Sequence, residues 1–86
     1  MAEHAVTFSA SAARELGRLD PPVARRVLAA IERLVANPRP RGSTKLRGSR
    51  NDWRIRIGDW RVIYTVDDAN AGVDIAAIRH RSDAYR

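Results

Sequence analysis

The feature that most constrains the fold of this chain is a change of period. From Pro21 to about Ala36, Val23, Val27, Ile31 and Val35 recur every fourth position, with Leu28 and Leu34 widening the stripe. That spacing lines one face of an amphipathic helix of roughly four turns. From Trp53 onward the period falls to two. Trp53, Ile55 and Ile57 alternate with Arg54 and Arg56; Trp60, Val62, Tyr64 and Val66 then alternate with Arg61, Ile63 and Thr65. Half-buried strands have this pattern, and Gly58-Asp59 between them is a two-residue hairpin signal. A last strand follows the turn at Asp67 to Gly72, with Val73, Ile75 and Ala77 alternating with Asp74, Ala76 and Ile78.

The N-terminal third completes the layout. His4 to Ser9 reads as a short strand with Val6 and Phe8 on one face. Ser9 or Ser11 caps a short helix carrying Ala12, Ala13, Leu16 and Leu19, since a serine oxygen can accept an otherwise unpaired first-turn N–H. Asp20-Pro21 starts the long helix and Asn37-Pro38 ends it. Residues 37–52 form a loop, with a short edge strand at Lys45-Leu46. The expectation is one α+β domain over residues 1–86, a two-helix hairpin on a small antiparallel sheet in the order β-α-α-β-β-β.

Composition narrows the partners. Sixteen basic residues against ten acidic give a net charge of +6, which favours a polyanion: nucleic acid, an acidic protein or an anionic membrane. There is no cysteine, so disulfides, thiolate metal sites and cysteine nucleophiles are excluded. Two isolated histidines do not supply a zinc site. No apolar run reaches the roughly 20 residues needed to cross a bilayer, and Glu3 and His4 interrupt any secretory pattern. The reading is a soluble, cytoplasmic protein without metal or cofactor. All basic residues but Lys45 are arginine. Codon usage in a GC-rich genome produces that bias by itself, so the position of each arginine carries more weight than its identity.

Position is informative in the hairpin. With Gly58 and Asp59 as the loop, Ile57 sits opposite Trp60, Arg56 opposite Arg61, Ile55 opposite Val62, Arg54 opposite Ile63, and Trp53 opposite Tyr64. Opposed residues share a face. One face is therefore apolar and suited to cover by the helices, while Arg54, Arg56 and Arg61 project together from the other. Like charges directly opposed destabilise a sheet by up to roughly 1 kcal/mol. An anion site, in which phosphate oxygens offset the repulsion through forked bonds, accounts for this arrangement better than a solvated face relieved by Asp74. Lys45, Arg47 and Arg50 extend the positive potential. Residues 45–61 hold six basic and two acidic side chains.

The runs Lys45-Leu46-Arg47-Gly48, Trp53 to Tyr64 and Ile78-Arg79-His80-Arg81-Ser82-Asp83-Ala84-Tyr85-Arg86 resemble the RelE branch of the RelE/ParE toxin superfamily, and the resemblance covers the whole chain. It implies a small bacterial or archaeal toxin with this layout, neutralised by a RelB-type antitoxin in a hetero-oligomer. It also implies an enzyme that cuts messenger RNA in the ribosomal A site. By the same resemblance the two basic residues of the first hairpin strand are Arg54 and Arg56, where the best-known members have lysine. The arginine of the second strand is Arg61, that at the end of the last strand Arg79 or Arg81, and the C-terminal tyrosine Tyr85.

Metal-independent RNA cleavage requires activation of the 2′-OH, stabilisation of a dianionic phosphorane and protonation of the 5′-oxygen. Lys45, Arg47, Arg54 and Arg56 are expected to bind RNA, and Arg61 to stabilise the transition state. Guanidinium groups would favour the Tyr85 phenolate as base. Arg79 or Arg81 would stabilise the leaving oxygen; His80 is the better proton donor on ordinary pKa grounds. Two other readings stand beside this one: a ParE-like inhibitor of DNA gyrase without nuclease activity, and a non-catalytic nucleic-acid-binding module.

Overall fold

A computed structural model describes residues 3–48 and 51–82. The chain runs through β1 (Ala5–Phe8), α1 (Ala10–Gly17), α2 (Pro21–Ala36), β2 (Thr44–Lys45), β3 (Asp52–Ile57), β4 (Trp60–Asp67) and β5 (Gly72–His80). The strands form one sheet in the order β1-β5-β4-β3-β2.

The expected helix pair on a sheet is present, with one refinement: β1 pairs parallel to β5, so the sheet is mixed. Connectivity explains this. The helical hairpin ends beside the start of β1, where the His4 N–H donates to the Val35 carbonyl at 2.8 Å, and the loop after it delivers β2 antiparallel to β1. Three reversals later β5 runs in the direction of β1.

Local chemistry sets the boundaries. Ser9 caps α1 by accepting from the Ala12 N–H at 3.0 Å. Asp20 occupies the cap position of α2 without a side-chain hydrogen bond, and Pro21 provides the first turn. Of the α2 stripe, Val27, Ile31 and Leu34 are buried, whereas Leu28 is 37% exposed. The burying face is therefore narrower than the sequence suggested, centred on positions three and four apart.

Those three residues and Ala12 of α1 pack on Ile55, Val62, Tyr64, Val66, Val73, Ile75 and Ile78. Burial of each larger aliphatic side chain contributes about 1.5–3 kcal/mol. Trp53, Ile57 and Trp60 flank this core, partly buried, so both tryptophans lie on the helix-covered side. The Tyr64 hydroxyl donates to the Pro38 carbonyl at 2.7 Å, and burial pushes its pKa up. Beside it Arg39 forks onto Asp68 at 2.8 and 3.2 Å and lies 5.3 Å from the Trp53 ring. These contacts pin the loop that follows α2.

The β3–β4 register is the one expected, from Trp53 opposite Tyr64 to Ile57 opposite Trp60. Gly58 has a φ of +59° and Asp59 does not share that region, as in a type II′ turn, whose first central position favours glycine. The last strand departs from the expected alternation. Tyr64 faces Ile75 while Ile63 faces Ala77, so Ala76 is an extra residue, a β-bulge. Beyond it the faces exchange. Ile78, expected on the outer face, is buried at 2%, and Arg79 comes into register with Arg61. A bulge of this kind leaves no period-two signature in the sequence, because Ala76 and Ala77 fit either face.

Candidate RNA-binding site

Three arginines form a row across the sheet. Arg56 of β3 lies opposite Arg61 of β4, and Arg61 lies opposite Arg79 of β5. The register puts all three on the sheet face opposite the core. The tight turn makes Ile57–Trp60 the hydrogen-bonded pair, so Arg56–Arg61 is the closer, non-hydrogen-bonded kind, with Cα atoms near 4.5 Å. Arg54 follows two residues along β3 on the same face. Without the Ala76 bulge, Arg79 would point toward the helices and the row would end at two.

Arg81 joins them from the tail. Its backbone N–H donates to the Asp59 carbonyl at 2.7 Å and its guanidinium lies 3.8 Å from the Asp59 carboxylate. Arg56, Gly58, Asp59, Trp60, Arg61 and Arg81 line a cleft of about 370 Å³ at the turn end of the sheet, within the usual range for small-ligand sites. Three guanidinium groups around one carboxylate suit an anion with several acceptor oxygens.

Other candidates fall elsewhere. Lys45 pairs with Trp53 at the β2 edge, which places it on the helix side of the sheet rather than in the arginine row. Arg47 is exposed in the loop beyond β2. His80 lies opposite Trp60 and its ring packs edge-on to that indole at 5.1 Å between centroids. Its Nδ1 sits 2.9 Å from the Ser82 hydroxyl and accepts from the Ser82 N–H at 3.3 Å. His80 is thus on the face opposite Arg61 and Arg79. Asp74, the relieving charge of the solvated-face alternative, lies near the other end of the sheet, accepting from Thr7 at 2.8 Å. Tyr85 and Arg50 lie outside the described residues.

Two neighbours of the row escaped the sequence reading. Arg26 of α2 reaches over the hairpin: a Cβ at Gly58 would come within 3.1 Å of its guanidinium. Glu15 of α1 pairs with Arg79 at 2.7 Å. The available signal for Glu15 was a carboxylate three residues after the buried Ala12, on the helix face that packs inward.

Comparison with known proteins places the chain. Residues 6–85 match the family model described as the ParE toxin of type II toxin-antitoxin systems, parDE. Toxin RelE of Mycobacterium tuberculosis is 37% identical over 86 residues, covering 94% of this chain and 84% of that protein. Toxin RelG of the same organism is 32% identical over 88 residues, covering 96% and 97%. The crystal structure of the archaeal RelE-RelB complex from Pyrococcus horikoshii superposes with a TM-score of 0.82 at 28% identity, covering 92% of this chain and 96% of that one. The M. tuberculosis toxin-antitoxin complex RelBE2 gives 0.79 at 30% identity, covering 92% and 99%. The arginine row therefore sits on a RelE fold, and the chain belongs to the RelE/ParE superfamily of type II toxin-antitoxin toxins, on its RelE side.

Proposed function

We propose that this toxin is a ribosome-dependent endoribonuclease that cuts messenger RNA and so stops translation. The observation that carries the reading is the Arg56–Arg61–Arg79 row. A protein selected for stability alone avoids three opposed cations, whereas a scissile phosphate passing to a dianionic phosphorane needs them. Arg54 and Arg56 hold the RNA backbone, Arg61 faces the non-bridging oxygens, and Arg79 or Arg81 meets the leaving 5′-oxygen. The RelE resemblance gives the base role to Tyr85, whose phenolate these cations would favour. The mechanism has no metal or cofactor in it. His80, packed on Trp60 across the sheet from the row, fits the proton-donor role less well than Arg81.

The partner follows from the same surface. The structural neighbours include RelE bound to RelB, and a basic cleft of this kind is suited to an acidic segment that orders as it wraps the toxin. A RelB-type antitoxin holding the chain inactive in the cytoplasm as a hetero-oligomer fits both. The ParE name of the matching family model favours a second reading, inhibition of DNA gyrase without nuclease activity.

One experiment separates them. The chain is induced without antitoxin, messenger RNA 5′ ends are mapped by primer extension, and plasmid supercoiling is followed alongside. New ends within translated codons, lost with Tyr85→Phe by roughly 10²-fold or more, support the nuclease. Intact transcripts with altered supercoiling support the gyrase reading instead. His80→Gln is expected to cut normally.

A further inference from the structure

The edge of β5 is only half covered by β1. Pairing ends at Phe8 opposite Ile75, and beyond that point α1 takes the place of a strand. The Ser9 N–H donates to the Ile75 carbonyl at 2.9 Å, and the Ser9 hydroxyl to the Ala76 carbonyl at 2.9 Å. The Ile78 N–H donates to one carboxylate oxygen of Glu15 at 2.9 Å. The other oxygen of the same carboxylate accepts from Nε of Arg79 at 2.7 Å. Glu15 is 22% exposed against 46% for Arg79, so the carboxylate is the sheltered, fixed partner and the guanidinium reaches out from it.

From this geometry we infer that Glu15 is a positioning residue for Arg79. The inference rests on the nuclease reading above. Satisfying a strand N–H anchors the carboxylate to the backbone one residue before Arg79, so its second oxygen has little freedom. Arginine carries five N–H donors in a rigid plane. Contact through Nε fixes that plane and leaves the terminal nitrogens to face a phosphate as a fork. Charge alone would attract RNA with the side chain in any rotamer; transition-state contact needs one rotamer. Glu15 thus acts on the reaction through Arg79, without touching the RNA.

The test is a double-mutant cycle on the full chain. Single-turnover cleavage of ribosome-bound messenger RNA is measured for wild type, Glu15→Gln, Arg79→Ala and the pair, with Tm for each. The Arg79 Nε–H resonance is followed by NMR in the proteins that retain it. Glutamine keeps one oxygen for the Ile78 N–H, so the fold should persist. Glu15→Gln is expected to slow cleavage about 10- to 100-fold in the Arg79 background, the scale of a small misplacement, and less than about twofold once Arg79 is alanine. The Nε–H should be sharp in wild type and exchange-broadened in Glu15→Gln. Equal losses in both backgrounds, or no loss in the first, would overturn the positioning role. If Arg79→Ala itself cuts normally, Arg79 has no part in the chemistry and the inference falls with it. If the wild-type chain cuts no RNA, the nuclease reading fails by itself. The resonance then decides whether Glu15 holds Arg79: sharp in wild type and broadened in the variant supports it, and broad in both overturns it.

Discussion

The two ends of the uncovered sheet face follow opposite rules. Near the acidic end, Asp52 lies opposite Thr65, Thr65 opposite Asp74, and Asp74 opposite Thr7. Thr65 donates to Asp52 at 2.9 Å and Thr7 to Asp74 at 2.8 Å. Donors and acceptors alternate across four strands and answer one another. At the turn end, Arg56, Arg61 and Arg79 put donors opposite donors. In the first row each residue is answered by its cross-strand neighbour; in the second the cross-strand neighbours carry like charge, and an acceptor comes from outside the row, as Glu15 does for Arg79. One surface therefore carries two kinds of cross-strand pairing, complementary at one end and like-charged at the other. Under the proposed function the contrast would orient the RNA, drawn across the strands at the turn end and repelled by the carboxylates at the other.

The largest effect should come from breaking the basic row at its centre. Arg61 faces Arg56 on one side and Arg79 on the other, so Arg61→Ala removes the shared contact of the row. Cleavage should fall by the equivalent of about 2–4 kcal/mol, with Tm changed little. Single-turnover assays beside thermal melts check this; a clear drop in Tm with cleavage retained would assign Arg61 to the fold instead.

Much of this row was legible beforehand, and the limit has a physical cause. Gly58-Asp59 sets the turn, the turn sets the register, and the register pairs Arg56 with Arg61, all legible in the sequence. Arg79 entered by resemblance alone. Its place beside Arg61 depends on the bulge at Ala76, and two consecutive alanines carry no facial preference. Glu15 was missed for a different reason. Its partners stand at positions 78 and 79, and only the early end of β1 brings α1 to that edge. Both failures concern the last strand, where irregular backbone decides side-chain direction.

The acidic end should show the reverse response. Asp74→Ala leaves the Thr7 hydroxyl without its acceptor in an exposed setting, where water replaces it, and should cost about 0.5 kcal/mol of stability or less by urea denaturation. Cleavage should be unchanged or slightly faster, since a carboxylate on the RNA-facing surface is removed. A large loss of cleavage would show that the two ends do not act separately.

A smaller effect of opposite sign is expected from relief of repulsion. Arg56→Gln removes one of two opposed charges while keeping a polar side chain of similar reach. Stability should rise by a few tenths of a kcal/mol, within the range for directly opposed like charges, and the gain should shrink at high salt. Cleavage should fall at the same time. Stability lost together with activity would mean that the row is already compensated within the protein.

The smallest effect concerns carboxylates just past the acidic end. Hydrogen bonding from Arg39, with its charge beside it, holds Asp68 below the usual aspartate range. Hydrogen bonds from Asn70 do the same for Asp67. A carboxyl whose pKa is depressed on folding contributes stability above its unfolded value, near 3.9, and loses it as pH falls through the folded value. The Tm difference between wild type and Arg39→Ala should therefore be constant from neutral pH to about pH 5, then narrow toward zero in stronger acid. Both carboxylates are exposed, so the difference should be small and should weaken with salt. Arg39 has a second contact, the Trp53 face at 5.3 Å, which does not titrate. A Tm difference that stays unchanged in acid strong enough to protonate both carboxylates would assign the pinning of the loop to the indole stack and not to Asp68.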